Sequence, residues 1–471
     1  MMAAMPASSV AEATARADAV ARNDAVVDAD LVRRWLAWGF VWLLIFPTVG
    51  ALVSAKFTDP EFLGGVAWLS FGRLRPIHVN GVIWGAFSTL FIGLAHYVVP
   101  RLCGVPLWGA RWSPPLLWVW NLNLALGMVL LARGDNRGWE AGEFPLPVVL
   151  VLFAVVLALT AQFFMTLRNR RHAPLYVSLW YLIAAFVWTD VNLVLQILGP
   201  DHIPGVNNAA WHGLFIHYVV GLWITPAGYV LIYYFLPASV RTPLYSHKLS
   251  LIGFWSLAFF YPFVGIHHYL YSPIAEWAQT IAIVSSMMLI IPVWTVIQNF
   301  FGTMAGHWRD LGANLPARFL ITGAILYLIG CTQGSLEALR ALQRATHFTD
   351  FVVAHSHITI FGTFVMWAIG GALYVWPRLG GGLWSERLGR ASFWLIAAGI
   401  SAMAILLGTQ GVQQGLLLMA GSEWLDTMAV MRPYWWLRTL SGITMDVGMT
   451  LLVINLMKGT RRAPAAVVPA A

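Results

Sequence analysis

This sequence predicts an all-α membrane protein, built as a bundle of twelve transmembrane helices. The chain has 471 residues, of which 59% are hydrophobic and only 10% are charged, and its mean hydropathy is +0.71. Soluble domains carry about 25% charged residues, so this composition excludes an ordinary soluble protein. Apolar runs of about 20 residues recur along the chain, and each can cross a bilayer as one helix. Lipid offers no partner to free backbone groups, so only helices or a closed barrel can span it, and runs of this length favour helices.

Twelve apolar segments can be placed in order along the chain. With their connections they are predicted to form one domain over residues 31–462. Residues 1–30 have no apolar core and are rich in Ala, Asp and Arg, which predicts a partly disordered cytoplasmic tail and no signal peptide. A second short cytoplasmic tail is predicted at residues 463–471. The twelve segments are residues 33–55, 78–99, 113–133, 146–167, 174–198, 210–236, 249–270, 277–300, 317–338, 351–376, 391–412 and 437–457.

The distribution of basic residues predicts the orientation of the bundle. Arg and Lys cluster before the first segment and after the fourth, sixth, tenth and twelfth segments, which places these clusters on one side. By the positive-inside rule that side is cytoplasmic, so both termini are predicted to lie in the cytoplasm. The same clusters explain the net charge of +8, so this charge does not indicate nucleic-acid binding. They comprise Arg33, Arg34, Arg168, Arg170, Arg171, Arg241, Lys248, Arg378, Arg387, Arg390, Lys458, Arg461 and Arg462.

The cysteine content excludes a covalently attached haem on this chain. Only Cys103 and Cys331 are present, and they stand far apart in the sequence. The sequence has no C-x-x-C-H motif, which c-type haem attachment needs, and no zinc-binding spacing. Any c-type haem that serves this protein therefore belongs to another subunit.

The most informative motif is His355-Ser356-His357, which lies inside the apolar stretch 351–376. A helix turns about 100° per residue, so residues i and i+2 point to nearly opposite sides. Polar side chains are costly in lipid and are usually functional there. One helix therefore presents two imidazoles in opposite directions, which is the arrangement that a helix needs to ligate two haem irons, one on each flank.

Four further histidines are predicted to lie at the same depth of the bundle. His78 opens the second segment, His217 lies about two turns into the sixth, and His267 and His268 close the seventh. Each has an ordinary alternative role: an interfacial residue, the lining of a polar cavity, or a helix cap. Together with the pair on the tenth segment they favour metal ligation, because neutral imidazole binds iron and copper. No metal role is predicted for the histidines assigned to loops or helix ends, which are His96, His172, His202, His212, His247, His307 and His347.

A tyrosine accompanies the histidines of the seventh segment. Tyr261 lies seven residues before His268, within about 20° of the same helix face. A tyrosine near a redox metal can supply a proton and an electron, although an ordinary helix aromatic is the simpler reading of this residue alone. Pro262 and Gly265 predict a loosened helix between them, which helps consecutive imidazoles to reach one metal.

A ladder of hydroxyl groups is predicted on the cytoplasmic side of the histidines. Thr225 and Tyr233 follow His217 on the sixth segment, and Ser256 precedes Tyr261 on the seventh. Such a ladder could relay protons from the cytoplasm to Tyr261. The alternative is that these hydroxyl groups only pack helices together in lipid.

Four stretches carry a family resemblance. They are FGRLRPIHVN at 71–80, HYVVG at 217–221 with YYFLP at 233–237, YPFVGIHH at 261–268 with WAQ at 277–279, and HFTDFVVAHSH at 347–357. On these residues the chain resembles the catalytic subunit I of the haem-copper oxidases and, within them, the cbb3-type cytochrome c oxidases. The likeness covers about residues 33–460 and agrees with twelve helices.

The resemblance implies a low-spin haem b, a high-spin haem b3, a copper ion called CuB, and a possible calcium ion. It implies a tyrosine, here Tyr261, that is covalently linked to a copper-ligating histidine, here His217. The remaining implied roles are as follows. His78 and His357 are axial ligands of haem b, and His355 is the axial ligand of haem b3. His217, His267 and His268 bind CuB, and Thr225, Tyr233 and Ser256 form the proton path. Arg75 and Arg438 contact haem propionates, and Glu143 approaches the calcium.

The function that the resemblance implies is a terminal respiratory oxidase of the bacterial inner membrane. Such an enzyme reduces O2 to water with electrons from membrane-anchored c-type cytochrome subunits and translocates protons. One departure concerns a glutamate that the family usually has fourteen residues before the position of His347, where this chain has Gln333. Glu337 lies one turn further on. The acidic stretch around Glu140 and Glu143 is also thinner than usual, which bears on the calcium.

Two alternatives stay open at this stage. A nitric oxide reductase of the same superfamily shares the six histidines but uses non-haem iron and glutamates and lacks the linked tyrosine. Tyr261 favours oxygen as the substrate, whereas Gln333 leaves the reductase in contention. A cofactor-free transporter is an alternative from another class, and it would bind no haem.

Overall fold

The computed structural model describes residues 25–172 and 174–459, and these form a bundle of twelve long helices. Most of both predicted tails lies outside these residues. Each of the twelve helices is long and apolar enough to cross a membrane. We label them α1 to α12: Ala29–Thr58, Phe71–Cys103, Ala110–Arg133, Leu146–Arg168, Val177–His202, Gly205–Val240, His247–Tyr269, Glu276–Thr303, Leu315–Glu337, Asp350–Leu379, Glu386–Met419 and Trp424–Gly459.

The twelve predicted segments correspond one to one with these helices, which confirms the predicted fold class. The helices are longer than the predicted segments, most clearly α12, which begins at Trp424 and not near residue 437. Hydropathy marks only the stretch that sits in hydrocarbon, whereas a helix continues into the polar interface. A short helix, Arg340–Thr346, fills the connection between α9 and α10.

Three helices form the centre of the bundle. The apolar stretches of α2, α6 and α10 are almost completely buried by protein, whereas the other nine helices have only 33% to 56% of theirs buried. The same three helices carry His78, His217 and the pair His355 and His357. Four of the six predicted ligand histidines therefore stand on the innermost helices.

Each central helix widens into a π-helix within one turn after its histidine. The π segments are Gly81–Phe87 in α2, Val219–Ile224 in α6 and Ile360–Val365 in α10. A π segment breaks the regular i to i−4 bonding and is frequently found at functional sites. In all three helices a hydroxyl group in or next to the π segment donates to the carbonyl five residues earlier. The pairs are Ser88 to Ile83 at 2.7 Å, Thr225 to Val220 at 3.0 Å and Thr363 to Ile358 at 3.2 Å.

Helix α7 ends in a stretch of 3-10 helix, Tyr261–Tyr269, which confirms the predicted loosening of the chain there. Pro262 has no N–H to donate and stands in the first turn of this stretch. A 3-10 helix turns about 120° per residue and rises more steeply than an α-helix. The changed geometry places the consecutive residues His267 and His268 beside the same neighbour, His217.

Helices α11 and α12 are joined by a buried amide. The Asn455 side chain accepts a hydrogen bond from the Ser385 backbone N–H at 2.8 Å and donates to the Ser385 carbonyl at 3.0 Å. Ser385 is also the N-cap of α11, where its hydroxyl accepts from the N–H of Leu388. One side chain on α12 thus fixes the start of α11.

We expect Asn455→Ala to lower the free energy of unfolding by about 1–3 kcal/mol, because both Ser385 backbone groups lose their partner. Thermal unfolding of the purified protein in detergent measures the change. The matched control is Ile454→Ala on the outer surface of the same helix, where 39% of the side chain is exposed. Equal losses in the two variants would contradict the role given to the amide.

Candidate metal centre

Three histidines from α6 and α7 form one cluster. The available nitrogen atoms of His217, His267 and His268 all lie within 4.8 Å of one another, and the Nε2 atoms of His217 and His267 are 2.7 Å apart. A metal ion binds imidazole nitrogen at about 2 Å, so one ion fits between nitrogens at this spacing. Within the described ranges this is the only group of three or more His, Cys, Asp or Glu side chains with that geometry.

A hydrogen bond orients His267 toward the cluster. Its Nδ1 lies 2.6 Å from the Ser286 hydroxyl, which itself donates to the Ala282 carbonyl. The hydroxyl therefore accepts from Nδ1–H, and Nε2 is left with its lone pair for a metal. A ligand histidine usually makes such a bond with its second nitrogen.

His78 on α2 and His357 on α10 face each other as a second unit. Their ring centroids are 6.2 Å apart and their planes differ by only 21°. Two imidazoles on opposite sides of one metal ion, each bound at about 2 Å, need a ring separation of about this size. The Nδ1 atoms bond to the carbonyls of Phe46 and Val353, both at 2.8 Å, so Nε2 of each ring is left free for a metal.

His355 points away from His357 and toward α9, as the i, i+2 spacing predicts. A Cβ on Gly334 would lie 2.6 Å from the His355 ring, so the absence of a side chain there makes room for the imidazole. The buried Nδ1 atom of His355 has no hydrogen-bond partner among residues 25–172 and 174–459. His355 also lies close enough to His217 to interact with it electrostatically.

Tyr261 contacts the three-histidine cluster directly. Its hydroxyl is 3.1 Å from the His217 Nδ1 atom, and the two ring centroids are 5.3 Å apart. The tyrosine ring lies against Gly221, one turn after His217 on α6, in the space that a Cβ at this position would occupy. A glycine is therefore required at this position if the tyrosine is to reach the histidine.

The chain matches the family model described as cytochrome c and quinol oxidase polypeptide I over residues 30–444. It belongs to that family. The cbb3-type cytochrome c oxidase subunit CcoN1 of Stutzerimonas stutzeri is 26% identical over 456 residues, which cover 92% of this chain and 95% of the relative. Cytochrome c oxidase subunit 1 of Rhodobacter capsulatus is 27% identical over 449 residues, 91% of this chain and 84% of the relative.

A solved structure supports the fold alone. The chain is similar to a heme-copper terminal oxidase dimer determined by cryo-EM, with a TM-score of 0.77 and 16% identity. The match covers 94% of this chain and 88% of that chain. The arrangement of twelve helices in this haem-copper oxidase subunit I is therefore the arrangement found in that terminal oxidase.

Haem and copper are the groups that the family implies, and the side chains present fit them. The paired rings of His78 and His357 suit an iron with two axial imidazoles, and the three-histidine cluster suits a copper ion. His355 offers one more imidazole beside the cluster, with Gly334 leaving room around it. All six histidines lie within membrane-spanning helices, where an imidazole without a partner would be costly.

Two arginines were predicted to contact haem propionates. Arg75 is ion-paired with Glu140 in the connection between α3 and α4. Arg438 is buried, its Nη1 atom is 4.0 Å from the Asp350 carboxylate, and its guanidinium lies 4.6 Å from the Phe57 ring centroid. Both stand at the end of the bundle that holds the six histidines, which we call the histidine end. Their contact with propionates stays a prediction.

Glu143, the predicted calcium residue, is a buried residue of the α3–α4 connection. It accepts a hydrogen bond from the Asn80 amide at 2.6 Å. Burial raises the pKa of Glu143 to about 7, although the Asn80 bond opposes the rise. Glu143 belongs to no group of three or more His, Cys, Asp or Glu side chains with metal-binding geometry among the described residues. The calcium ion stays a prediction.

The predicted hydroxyl ladder is only partly assembled. Thr225 and Tyr233 are buried on the inner face of α6. Ser256, in contrast, is half-buried and donates to the carbonyls of Ile252 and Gly253 in its own helix, both on α7. Its place in the proton path stays a prediction.

Other polar residues lie where the ladder needs them. Ser250 and Asn299 stand beside the Tyr233 hydroxyl, and the Asn299 amide donates to the Ser250 hydroxyl at 2.9 Å. The hydroxyl groups of Tyr229 and Tyr327 are hydrogen-bonded to each other. An asparagine within the apolar segment 277–300 was a signal available in the sequence. Its neighbours Tyr233 and Ser250 lie on other helices, so the sequence alone does not connect this asparagine with the ladder.

The assignment of the remaining histidines to loops or helix ends is wrong for two of them. His96 is buried within α2, bonded to the Ile92 carbonyl at 2.7 Å and to the Ser113 hydroxyl at 3.1 Å. His212 lies within α6 and bonds to the Tyr269 hydroxyl at 2.7 Å. Neither histidine belongs to the three-histidine metal cluster, and both of the His96 ring nitrogens have protein partners.

We expect Gly221→Ala to displace Tyr261 from His217 and to lower oxygen uptake as strongly as loss of the tyrosine hydroxyl. The added methyl group would occupy the position of the ring. Oxygen uptake measures the loss of activity. Mass spectrometry of the peptide that contains Tyr261 measures the loss of the covalent link to His217 that the resemblance implies. Gly442→Ala on α12 is the control, because its Cβ would make an ordinary 3.5 Å contact with Met403. Full uptake by the Gly221 variant would contradict the packing argument.

Proposed function

We propose that this subunit is the catalytic subunit of a cbb3-type cytochrome c oxidase, which reduces O2 to water and translocates protons. The observation that carries the proposal is the contact between Tyr261 and His217 within the three-histidine cluster. The family and the similarity to the CcoN1 subunit support the same function. Haem b, haem b3 and CuB are the proposed cofactors. Bound haem and copper supply the electron storage that oxygen reduction needs, and the protein sets their ligation, spacing and proton access.

The two faces of α10 give electrons a short route. His357 faces His78 on one flank, and His355 lies beside the three-histidine cluster on the other. We assign the first pair to haem b and His355 to haem b3. Because the two residues are separated by a single serine, the helix would hold the two proposed haems at a fixed separation.

Tyr261 holds a proton at the site of oxygen reduction. Its hydroxyl is within hydrogen-bond distance of the His217 imidazole, so a proton at the phenol oxygen lies at the edge of the cluster. We assign to this pair the covalent tyrosine–histidine link that the resemblance implies. The link would fix the phenol beside the cluster and make its hydroxyl a better proton donor.

Protons reach Tyr261 along polar side chains on α6 and the helices next to it. Thr225, Tyr233 and Ser256 are members of the proposed path, and Ser250, Asn299 and Tyr327 extend it. Apart from the half-buried Ser256, all of them are buried in a part of the bundle where lipid supplies no proton carrier. The path starts at the end of the bundle opposite the histidine end.

The histidine end is proposed to face outward from a bacterial inner membrane, with both termini in the cytoplasm. The positive-inside distribution of the connecting segments supports this orientation. Membrane-anchored c-type cytochrome subunits are the proposed electron donors, because this chain has no attachment motif for a c-type haem. They would dock at the histidine end, near His78 and His357.

Nitric oxide reductase is the second candidate, and Gln333 is the observation that favours it. The geometry of the cluster favours the oxidase, since no carboxylate accompanies the three histidines among the described residues. A non-haem iron site of the reductase type would need glutamates there. Copper, in contrast, is well served by three imidazoles.

Haem assignment can be tested with two substitutions on one helix. We expect His357→Leu to remove the low-spin haem spectrum and His355→Leu to remove carbon monoxide binding, because each variant loses one axial ligand. Reduced-minus-oxidised and carbon monoxide difference spectra measure both. His96→Gln, a buried histidine outside the cluster, is the control and should keep both signals. A wild-type protein without any haem spectrum would favour the cofactor-free transporter.

The substrate can be tested by comparing uptake of oxygen with uptake of nitric oxide by the purified complex, supplied with reduced cytochrome c. We expect fast oxygen uptake that falls by roughly 10²-fold or more in Tyr261→Phe, because a positioned proton donor is lost. Tyr245→Phe on a half-exposed connecting segment is the control. Nitric oxide turnover with little oxygen uptake would overturn the oxidase in favour of the reductase.

A further inference from the structure

The inner face of α5 carries a row of polar side chains that the proposed proton path does not include. Thr189, Asn192 and Gln196 recur at positions i, i+3 and i+7, which places them on one face of the helix. Their exposed fractions are only 2%, 3% and 0%. We call these three residues the α5 polar track.

Most hydrogen-bonding atoms of the α5 polar track have no protein partner. The Thr189 hydroxyl, the Asn192 amide oxygen and both amide atoms of Gln196 are unpaired within the described part of the chain. Only the Asn192 nitrogen has a partner, the Phe215 carbonyl at 3.4 Å. A buried polar group without a partner costs about 1–3 kcal/mol of stability. Three such residues on one helix face therefore indicate that something binds to them. Water is the usual partner of such groups, and it typically makes two to four hydrogen bonds.

The track begins at the depth of the metal centre. Asn192 meets the carbonyl of Phe215, two residues before the cluster ligand His217. Because α5 and α6 run in opposite directions, Thr189 stands about level with the residues just after His217. The residues from Thr189 to Gln196 make two helical turns, so the track rises about 10 Å toward the histidine end.

The other end of the track lies under the α3–α4 connection. A Cβ on Gly142 would be 3.3 Å from the Gln196 amide nitrogen, so the backbone of the connection covers the glutamine directly. Arg137 fixes this cover, because its guanidinium donates to the Gln196 carbonyl at 2.8 Å and its backbone N–H donates to the Glu143 carbonyl at 3.1 Å. The track therefore connects the depth of the cluster with a connecting segment at the bundle surface.

We propose that the α5 polar track holds a chain of ordered water molecules that carries protons from the metal centre to the histidine end. Each water accepts a proton on one side and gives up another on the other side, so one proton leaves for each that enters and no bond is changed overall. From Asn192 to Gln196 the track lies on the opposite side of His217, in depth, from Thr225 and Tyr233. It is thus suited to proton exit, whereas the α6 path is suited to entry. This inference rests on the proposed oxidase function.

The test uses the complete oxidase in proteoliposomes and compares wild type with the double variant Asn192→Leu, Gln196→Met. Both replacements keep the side-chain size but remove the hydrogen-bonding groups. The matched control is Gln414→Met on α11, a buried glutamine whose amide bonds to Thr427 and which lies outside the track. Three quantities are measured: oxygen uptake without a membrane potential, protons released per electron, and ordered-water density by high-resolution cryo-EM.

We expect water density along the track in the wild type and its loss in the double variant. Proton release per electron should fall in the double variant, while uptake without a membrane potential and the control remain as in the wild type. Unchanged proton release would overturn the proposal, and so would density for a cofactor group in place of water. A raised melting temperature of the double variant, together with unchanged proton release, would show that no water binds the amides. Apolar replacement of unpaired polar groups stabilises a folded protein. Absence of oxygen uptake by the wild type would instead overturn the proposed function.

Discussion

The need of each buried imidazole for two partners governs the arrangement of this bundle. A neutral histidine has one donor nitrogen and one acceptor nitrogen, and hydrocarbon satisfies neither. In His78 and His357 a backbone carbonyl accepts a hydrogen bond from Nδ1–H, and in His267 the Ser286 hydroxyl accepts it. The acceptor nitrogen is then the only group left unsatisfied, and a metal ion is the partner that removes this cost. The bonds that hold the rings in lipid therefore also select the nitrogen that faces the metal.

Close approach between helices is the second requirement, and it is met by backbone changes more than by side chains. The three central helices widen into π segments just past their histidines, and in or next to each segment a hydroxyl group donates to the carbonyl five residues earlier. Glycines then admit the functional rings: Gly221 admits Tyr261, and Gly334 admits His355. A dense interior tolerates little added volume, so these glycines fix distances that the ligands alone cannot. The metal centre depends on the shape of the backbone around it.

The sequence predicted the fold and the six histidines because both depend on strong local patterns. Apolar runs mark spans directly, and the i, i+2 spacing of His355 and His357 determines their directions once a helix is assumed. The π segments could not be predicted, since they depend on packing among three helices distant in sequence. Sequence order gives the depth of a residue along a helix but not the face that a distorted helix presents, so it could not predict that Ser256 is only half-buried. His96 shows the converse error, because its partner Ser113 lies on another helix and gives no local signal.

The resemblance implies a carboxylate at the position where this chain has Gln333, and that difference changes charge and not geometry. Gln333 precedes Gly334, whose missing side chain lets α9 lie against the His355 ring, so the backbone contact with the ligand is kept. An amide oxygen can still accept a hydrogen bond in this region, but it brings no negative charge. With His355 as the proposed iron ligand, a neutral neighbour would make the histidine less electron-donating than a carboxylate would, which would favour the reduced iron and raise its potential. Glu337 lies four residues, about 6 Å, further along α9, and a charge interaction weakens with distance, so a charge there would restore only part of the effect.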